Sequence, residues 1–164
     1  MPAYRAPIQD IGFLLNNVFD ADSLFSSMPG TVEVTTDLTS AIVEEAGKIA
    51  EGLLAPINQS GDQQSCQYND GVVTTPDGFK EAYKAYAEGG WAGLTGEITY
   101  GGQGMPKTLS ALIEEMSFAA NSSFALFTIL TTGATLTLSH HGSDELKLRY
   151  LPKMYEGIWT GTMC

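Results

Sequence analysis

Hydrophobic positions recur at spacings of three and four along most of the chain, the period of helices that bury one face. Ile8, Ile11, Leu15 and Val18 form one such stripe behind Pro7, whose missing N–H costs nothing at a first helical position. A second stripe, Leu38, Ile42, Ala46, Ile49 and Leu53, opens near Asp37 as a cap and ends at Pro56. Glu44, Glu45, Lys48 and Glu51 hold its wet face. Residues 21–34 contain Met28-Pro29-Gly30 and read as a surface connector. Thr75-Pro76-Asp77 supplies a cap, a first-turn proline and a first-turn acid. A helix is predicted there, with Phe79, Tyr83 and Tyr86 inward and Gly89-Gly90 at its end. Another starts at Pro106, with Leu109, Leu112, Ile113 and Met116 inward and Lys107, Glu114 and Glu115 outward. The last is capped at Ser143 and turns Leu146 and Tyr150 inward; Pro152 breaks it before a final turn through Tyr155.

One stretch does not follow this amphipathic pattern. Between Glu115 and Asp144 there is no Asp, Glu, Lys or Arg. A membrane span needs roughly 20 predominantly apolar residues. Here the best run, 124–138, is short, is interrupted by Gly133 and several threonines, and has no basic cluster beside it to set an orientation. The expectation is a central helix covered by neighbours on every side, ended by Gly142 in a left-handed conformation.

Three further stretches complete the plan. Residues 58–75 are a long polar loop, with a small hairpin over 68–73 around Asp70-Gly71. Gly96, Gly101, Gly102 and Gly104 surround Tyr100 without the Lys-Ser/Thr of a phosphate loop, so they mark sharp turns or close approaches. Residues 158–164 are strand-like and have no partner strand, as in a piece cut from something longer. The fold class is therefore all-α: an orthogonal or up-down bundle of about six helices, ending at the first strand of a missing β domain. Its parts are an N-terminal extension (1–34), a helical domain (35–157) and the start of a strand (158–164).

Composition changes this picture little. A chain of 164 residues suits one domain that buries about 68–70% of its unfolded surface. A net charge of −11 argues against nucleic acid or anionic membrane as partner, since both need Lys and Arg. Cys66 and Cys164 read as free thiols of a reducing compartment, and the N-terminus has neither signal nor transit character; the cytoplasm is the default. His140 and His141 are adjacent and point about 100° apart on a helix, so no metal is expected there. Glu114 and Glu115 diverge in the same way and read as solvated, and Cys66 has no basic partner to lower its pKa. The residues alone give no catalytic constellation.

In its second half the chain resembles the N-terminal helical domain of flavin-dependent acyl-CoA dehydrogenases. The matching features run in order: Gly93-Leu94-Thr95, Tyr100-Gly101-Gly102-Gln103-Gly104, Glu114-Glu115-Met116 and Gly142-Ser143-Asp144-Glu145. Then come Arg149-Tyr150-Leu151-Pro152-Lys153-Met154, Gly157 and Thr160-Gly161-Thr162-Met163-Cys164. Tyr4-Arg5-Ala6-Pro7, Phe13-Leu14-Leu15, the run from Thr75 to Tyr83 and Gly90-Trp91 are similar to a branch that includes 3-methylmercaptopropionyl-CoA dehydrogenases. The polar stretch 58–67 is left out, and Gly96 stands where many members carry proline.

The resemblance implies a three-part enzyme of fatty acid metabolism that uses FAD to convert an acyl-CoA to its trans-2-enoyl-CoA. The catalytic base lies beyond this chain, so no catalytic residue is assigned. Phe124, Phe127, Thr128 and Thr131 are the expected lining of the acyl pocket, and Met163 and Cys164 the first flavin contacts. Electron-transferring flavoprotein is the implied acceptor, and a dimer or tetramer the implied assembly. The fragment alone is not expected to retain FAD or be active. Two alternatives stay open: a stand-alone helical interaction module, and the same fold serving a flavin oxidase or monooxygenase.

Overall fold

The computed structural model describes residues 3–29 and 34–162. α1 (Ile8–Phe13) follows Pro7 and widens into a π-type turn over Leu14–Val18, burying Ile11 and Leu15. α2 (Ala21–Ser27) occupies the stretch read as a connector. Its buried residues, Ala21 and Phe25, are one helical turn apart, and Asp22 accepts the backbone N–H of Thr36 at 3.1 Å. α3 (Thr36–Ile49) is capped by Thr35 rather than Asp37 and runs on through a π-type turn (Ala50–Leu54) and a 3-10 turn (Ala55–Ile57).

The buried stripe of α3 is Thr39, Val43, Ala46, Ala50 and Leu54; Leu38 and Leu53 of the predicted stripe are exposed. Gly47 explains the rotation. A Cβ there would meet Ile8 Cδ1 at 2.7 Å, so α1 packs into a small-residue face that a search for large apolar residues passes over.

α4 (Asn58–Gln64) lies inside the predicted loop and contains no apolar side chain. Tertiary contacts hold it. The ring of Phe79 sits where a Cβ of Gly61 would be, and Gln64 bonds Asp77 twice, accepting its N–H at 2.8 Å and donating to its carboxylate at 3.0 Å. The hairpin forms as predicted: β1 (Gln67–Asn69) pairs antiparallel with β2 (Val72–Thr74), and both turn residues have positive φ (Asp70 47°, Gly71 83°). α5 (Phe79–Glu88) starts later than the Thr75 signal implies, because Gly78 at φ 83° places a turn before it.

α6 (Lys107–Ala120) packs on α3 and α7; α7 (Ser122–His141) also packs on α4 and α8 (Asp144–Tyr155). Pro152 lies within α8 instead of breaking it. The carbonyl that Pro152 cannot pair is that of Leu148, an exposed residue. α8 turns Leu151, Met154 and Tyr155 inward, whereas Leu146 is exposed. The fold is all-α as expected, with eight α-helices among the described residues because residues 21–34 and 58–75 each contribute one.

The link between α6 and α7 is a single residue, Asn121, and it is fully buried. Its side-chain oxygen accepts the Phe124 N–H at 3.0 Å, capping α7, while its amide donates to the Leu54 carbonyl at 3.1 Å. One side chain thus ties the start of α7 to the end of the α3 extension.

Candidate functional site

α7 has two faces of similar chemistry and different surroundings. Phe124, Ala125, Thr131 and Thr135 are buried against the domain. Leu126 (56% exposed), Phe127 (46%) and Leu136 (41%) face outward. The expectation that neighbours cover every side is therefore corrected: only 22% of its most apolar window is buried. The helix has the length and composition of a membrane span, but one such helix does not establish a span. Its threonines bond back into the helix, Thr128 to the Ala125 carbonyl at 3.1 Å, Thr135 to Thr132 at 2.9 Å and Thr137 to Gly133 at 2.9 Å. Those three hydroxyls are satisfied within the helix, which leaves the outward face largely hydrocarbon.

The four predicted lining residues separate into different environments. Phe124 is a core residue, edge-on to Phe79 at 5.9 Å and Tyr86 at 6.1 Å. Phe127 stands half out of the surface, edge-on to Tyr83 at 5.4 Å. Both line an apolar cavity of about 410 Å³ with Phe79, Tyr83, Ser123 and Leu126. Thr128 and Thr131 do not line it. Thr128 is half-buried beside the Tyr86 hydroxyl, and the buried Thr131 accepts the Gly161 N–H at 3.1 Å. Thr131→Val is expected to cost about 1 kcal/mol and to speed hydrogen exchange at Gly161. Unchanged exchange there would remove Thr131 from its anchoring role.

A second cavity, of about 280 Å³, lies on the other flank of α7 among Tyr86, Trp91, Lys107, Glu114, Ser139 and Tyr155. Glu114 is half-buried there, not solvated as its neighbour Glu115 is. Burial raises its pKa, and Lys107 partly offsets the rise. Its position next to buried Ile113 was the signal that could have shown this. Ser139 donates to the Glu97 carboxylate across the rim.

Burial pushes the Tyr86 phenol far above its usual range, with the nearby Glu114 charge adding to the rise. Above about pH 10 the unfolded chain loses its phenolic protons while folded Tyr86 keeps its own. The folded state then binds more protons, so stability falls as pH rises, by up to about 1.4 kcal/mol per pH unit for this residue. An ultraviolet titration should leave Tyr86 silent until the chain unfolds. Its titration in the folded protein would contradict the burial.

The glycines work by close approach. A Cβ on Gly102 would lie 2.2 Å from the Gly96 backbone, and one on Gly96 would enter the ring of Tyr155. Proline at 96 would meet that ring. Gly142 is extended (φ −70°, ψ 148°) rather than left-handed; it is small because a Cβ would lie 2.6 Å from the Leu138 carbonyl. Beyond α8, the N–H groups of Ile158 and Trp159 both donate to the Lys153 carbonyl, and Gly161 presses on Ala134. Residues 158–162 run without strand pairing among the described residues, and Met163 and Cys164 lie outside those residues.

Comparison with known proteins matches residues 36–158 to the family described as acyl-CoA dehydrogenase, N-terminal domain. This chain belongs to the acyl-CoA dehydrogenase family. It is 34% identical to the 3-methylmercaptopropionyl-CoA dehydrogenase of Ruegeria pomeroyi over 98% of its own length and 27% of that protein's. It is likewise 34% identical to a butyryl-CoA dehydrogenase of Syntrophomonas wolfei, with the same coverage. Identity to the broad-specificity linear acyl-CoA dehydrogenase FadE5 of Mycobacterium tuberculosis is 26%, over 99% of the chain and 26% of that protein. The chain thus spans about a quarter of the length of the curated relatives it matches.

Proposed function

We propose that this chain is the N-terminal part of an FAD-dependent acyl-CoA dehydrogenase, which removes hydrogens from Cα and Cβ of an acyl thioester to give the trans-2-enoyl-CoA. What carries the reading is the match to acyl-CoA dehydrogenases along 98% of this chain, joined to an apolar α7 face that this domain itself leaves open. That face, through Leu126 and Phe127, would wall the acyl pocket, while Phe124 and Thr131 support it from behind. The chemistry that a bound FAD would supply is hydride acceptance from Cβ, with the α-proton passing to a base that lies outside the described residues. No step of the reaction is assigned to the described residues; their part is to shape the pocket and exclude water from it. Residues 157–162, fixed by the bonds from Gly161 to Thr131 and from Tyr83 to the Gly157 carbonyl, would lead to the flavin contacts at Met163 and Cys164. The separate 164-residue chain is proposed not to hold FAD. Electron-transferring flavoprotein is the proposed acceptor, and a dimer or tetramer the proposed assembly.

The test is anaerobic addition of acyl-CoAs to the full-length flavoprotein. Loss of the oxidised flavin band, with electrons passing to a ferricenium-type acceptor, supports the proposal. An unbleached flavin with every acyl-CoA refutes it, and rapid turnover with oxygen alone would favour an oxidase instead.

A further inference from the structure

The cavity between α6, α7 and the segment 91–97 shares no lining residue with the proposed acyl wall. Its distinctive member is Glu114. This side chain is half-buried, yet among the described residues no hydrogen bond or ion pair reaches its carboxylate. The oxygens are not sealed in, so a ligand can reach them. Partial burial strips water from a carboxylate, and without a partner that loss is uncompensated. The raised pKa of Glu114 records it. Lys107 does not fill the gap. It lies seven residues earlier on the same helix, about 10 Å along the axis, and helical side chains lean towards the N-terminus, here away from Glu114.

The neighbouring hydroxyls point to the same kind of partner. Ser110 donates to the Lys107 carbonyl at 3.0 Å, Thr135 to the Thr132 carbonyl at 2.9 Å and Ser139 to the Glu97 carboxylate. Each of these lining residues has committed its hydrogen elsewhere and keeps lone pairs to offer. With the carboxylates of Glu97 and Glu114, the wall is rich in acceptors, while Lys107 and His140 stand on the exposed rim. The rings of Tyr86, Trp91 and Tyr155 also line the space, and aromatic faces attract cations. The donor set does not suit a metal ion, because no three His, Cys, Asp or Glu side chains gather among the described residues. A volume of about 280 Å³ lies just below the range of drug-sized sites and admits a small molecule.

We propose that this cavity binds a small primary amine as its ammonium ion, with N–H groups on the Glu114 carboxylate and the adjoining hydroxyl oxygens. The apolar body of the amine lies against Trp91 and Leu94. A neutral molecule of the same shape fills the space equally well but leaves the carboxylate without a counter-charge. Loss of one charged hydrogen bond in such a place weakens binding by about tenfold or more. The proposal does not depend on the acyl-CoA dehydrogenase reading, since it uses neither the outward face of α7 nor a flavin.

The experiment is isothermal titration calorimetry of the full-length protein with benzylamine, a cation at neutral pH, and with benzyl alcohol, its neutral counterpart of similar size. Benzylamine is expected to bind at least tenfold more tightly than benzyl alcohol, and Glu114→Gln to abolish that preference while leaving the weak binding of the alcohol unchanged. Equal affinities in the unsubstituted protein, or a preference that survives Glu114→Gln, overturn the proposal. The thermal midpoint of the variant supplies a second readout. Removal of a partnerless charge should leave it level or higher. A lower midpoint would mean that Glu114 already has a cationic partner in the full-length protein, and that too overturns the site.

Discussion

Phe124→Ala is expected to lower the stability of the chain by about 3–5 kcal/mol, against about 1 kcal/mol or less for Phe127→Ala three residues later. Phe124 is 1% exposed and touches two aromatic rings that cannot follow it into the space left behind. Phe79 is also held against Gly61 of α4, and Tyr86 is fixed beside Thr128, so the cavity would persist and its full cost with it. Phe127 already has nearly half of its surface in water, and only its edge contact with Tyr83 is lost. A domain of this size has a total stability of about 5–15 kcal/mol, so the first substitution should shift a urea unfolding midpoint strongly and the second barely. On the proposed function the order reverses for substrate, with Phe127→Ala altering acyl selectivity in the full-length enzyme. Equal destabilisation by the two substitutions would mean that the faces of α7 are misassigned.

This pair also marks how far the sequence could be read. The amphipathic helices were legible because one side of each carries charge, and Asp70-Gly71 announced the hairpin through its need for positive φ. In α7 nothing distinguishes a face packed on its own domain from a face awaiting something else, since both are apolar residues and threonines. Phe124 and Thr131 therefore read like Phe127, although both are buried against the domain. α4 was hidden for the opposite reason: its residues are all polar or glycine, and its helix depends on Phe79 filling the space over Gly61. Pro152 and Gly142 misled because local rules weigh backbone preference before surroundings. The bond lost to the proline falls at exposed Leu148, and a carbonyl packed against Gly142 needs no left-handed turn to demand glycine. Glu114 and Glu115 read alike as solvated residues on diverging faces, whereas the place of Glu114 beside Ile113 puts it at a cavity.

Asn121→Ala should cost about 2–4 kcal/mol, more than an ordinary cap, because two separate bonds are lost in a fully buried place. Loss of the cap to the Phe124 N–H accounts for about 1 kcal/mol. The Leu54 carbonyl, left without the Asn121 amide where water does not reach, adds about 1–3 kcal/mol. Asn121→Asp separates the two contributions, since a carboxylate keeps the cap but cannot donate to the carbonyl. Burial against that carbonyl would raise the pKa of the new carboxyl above its unfolded value of about 3.9. The folded state would then hold a proton that the unfolded chain has released. The stability of the variant should therefore be greatest below that value and decline as pH rises through the folded pKa, while the unsubstituted chain lacks this component. If Asn121→Asp matches the original protein at neutral pH, the bond to Leu54 is not what joins α7 to the end of the α3 extension.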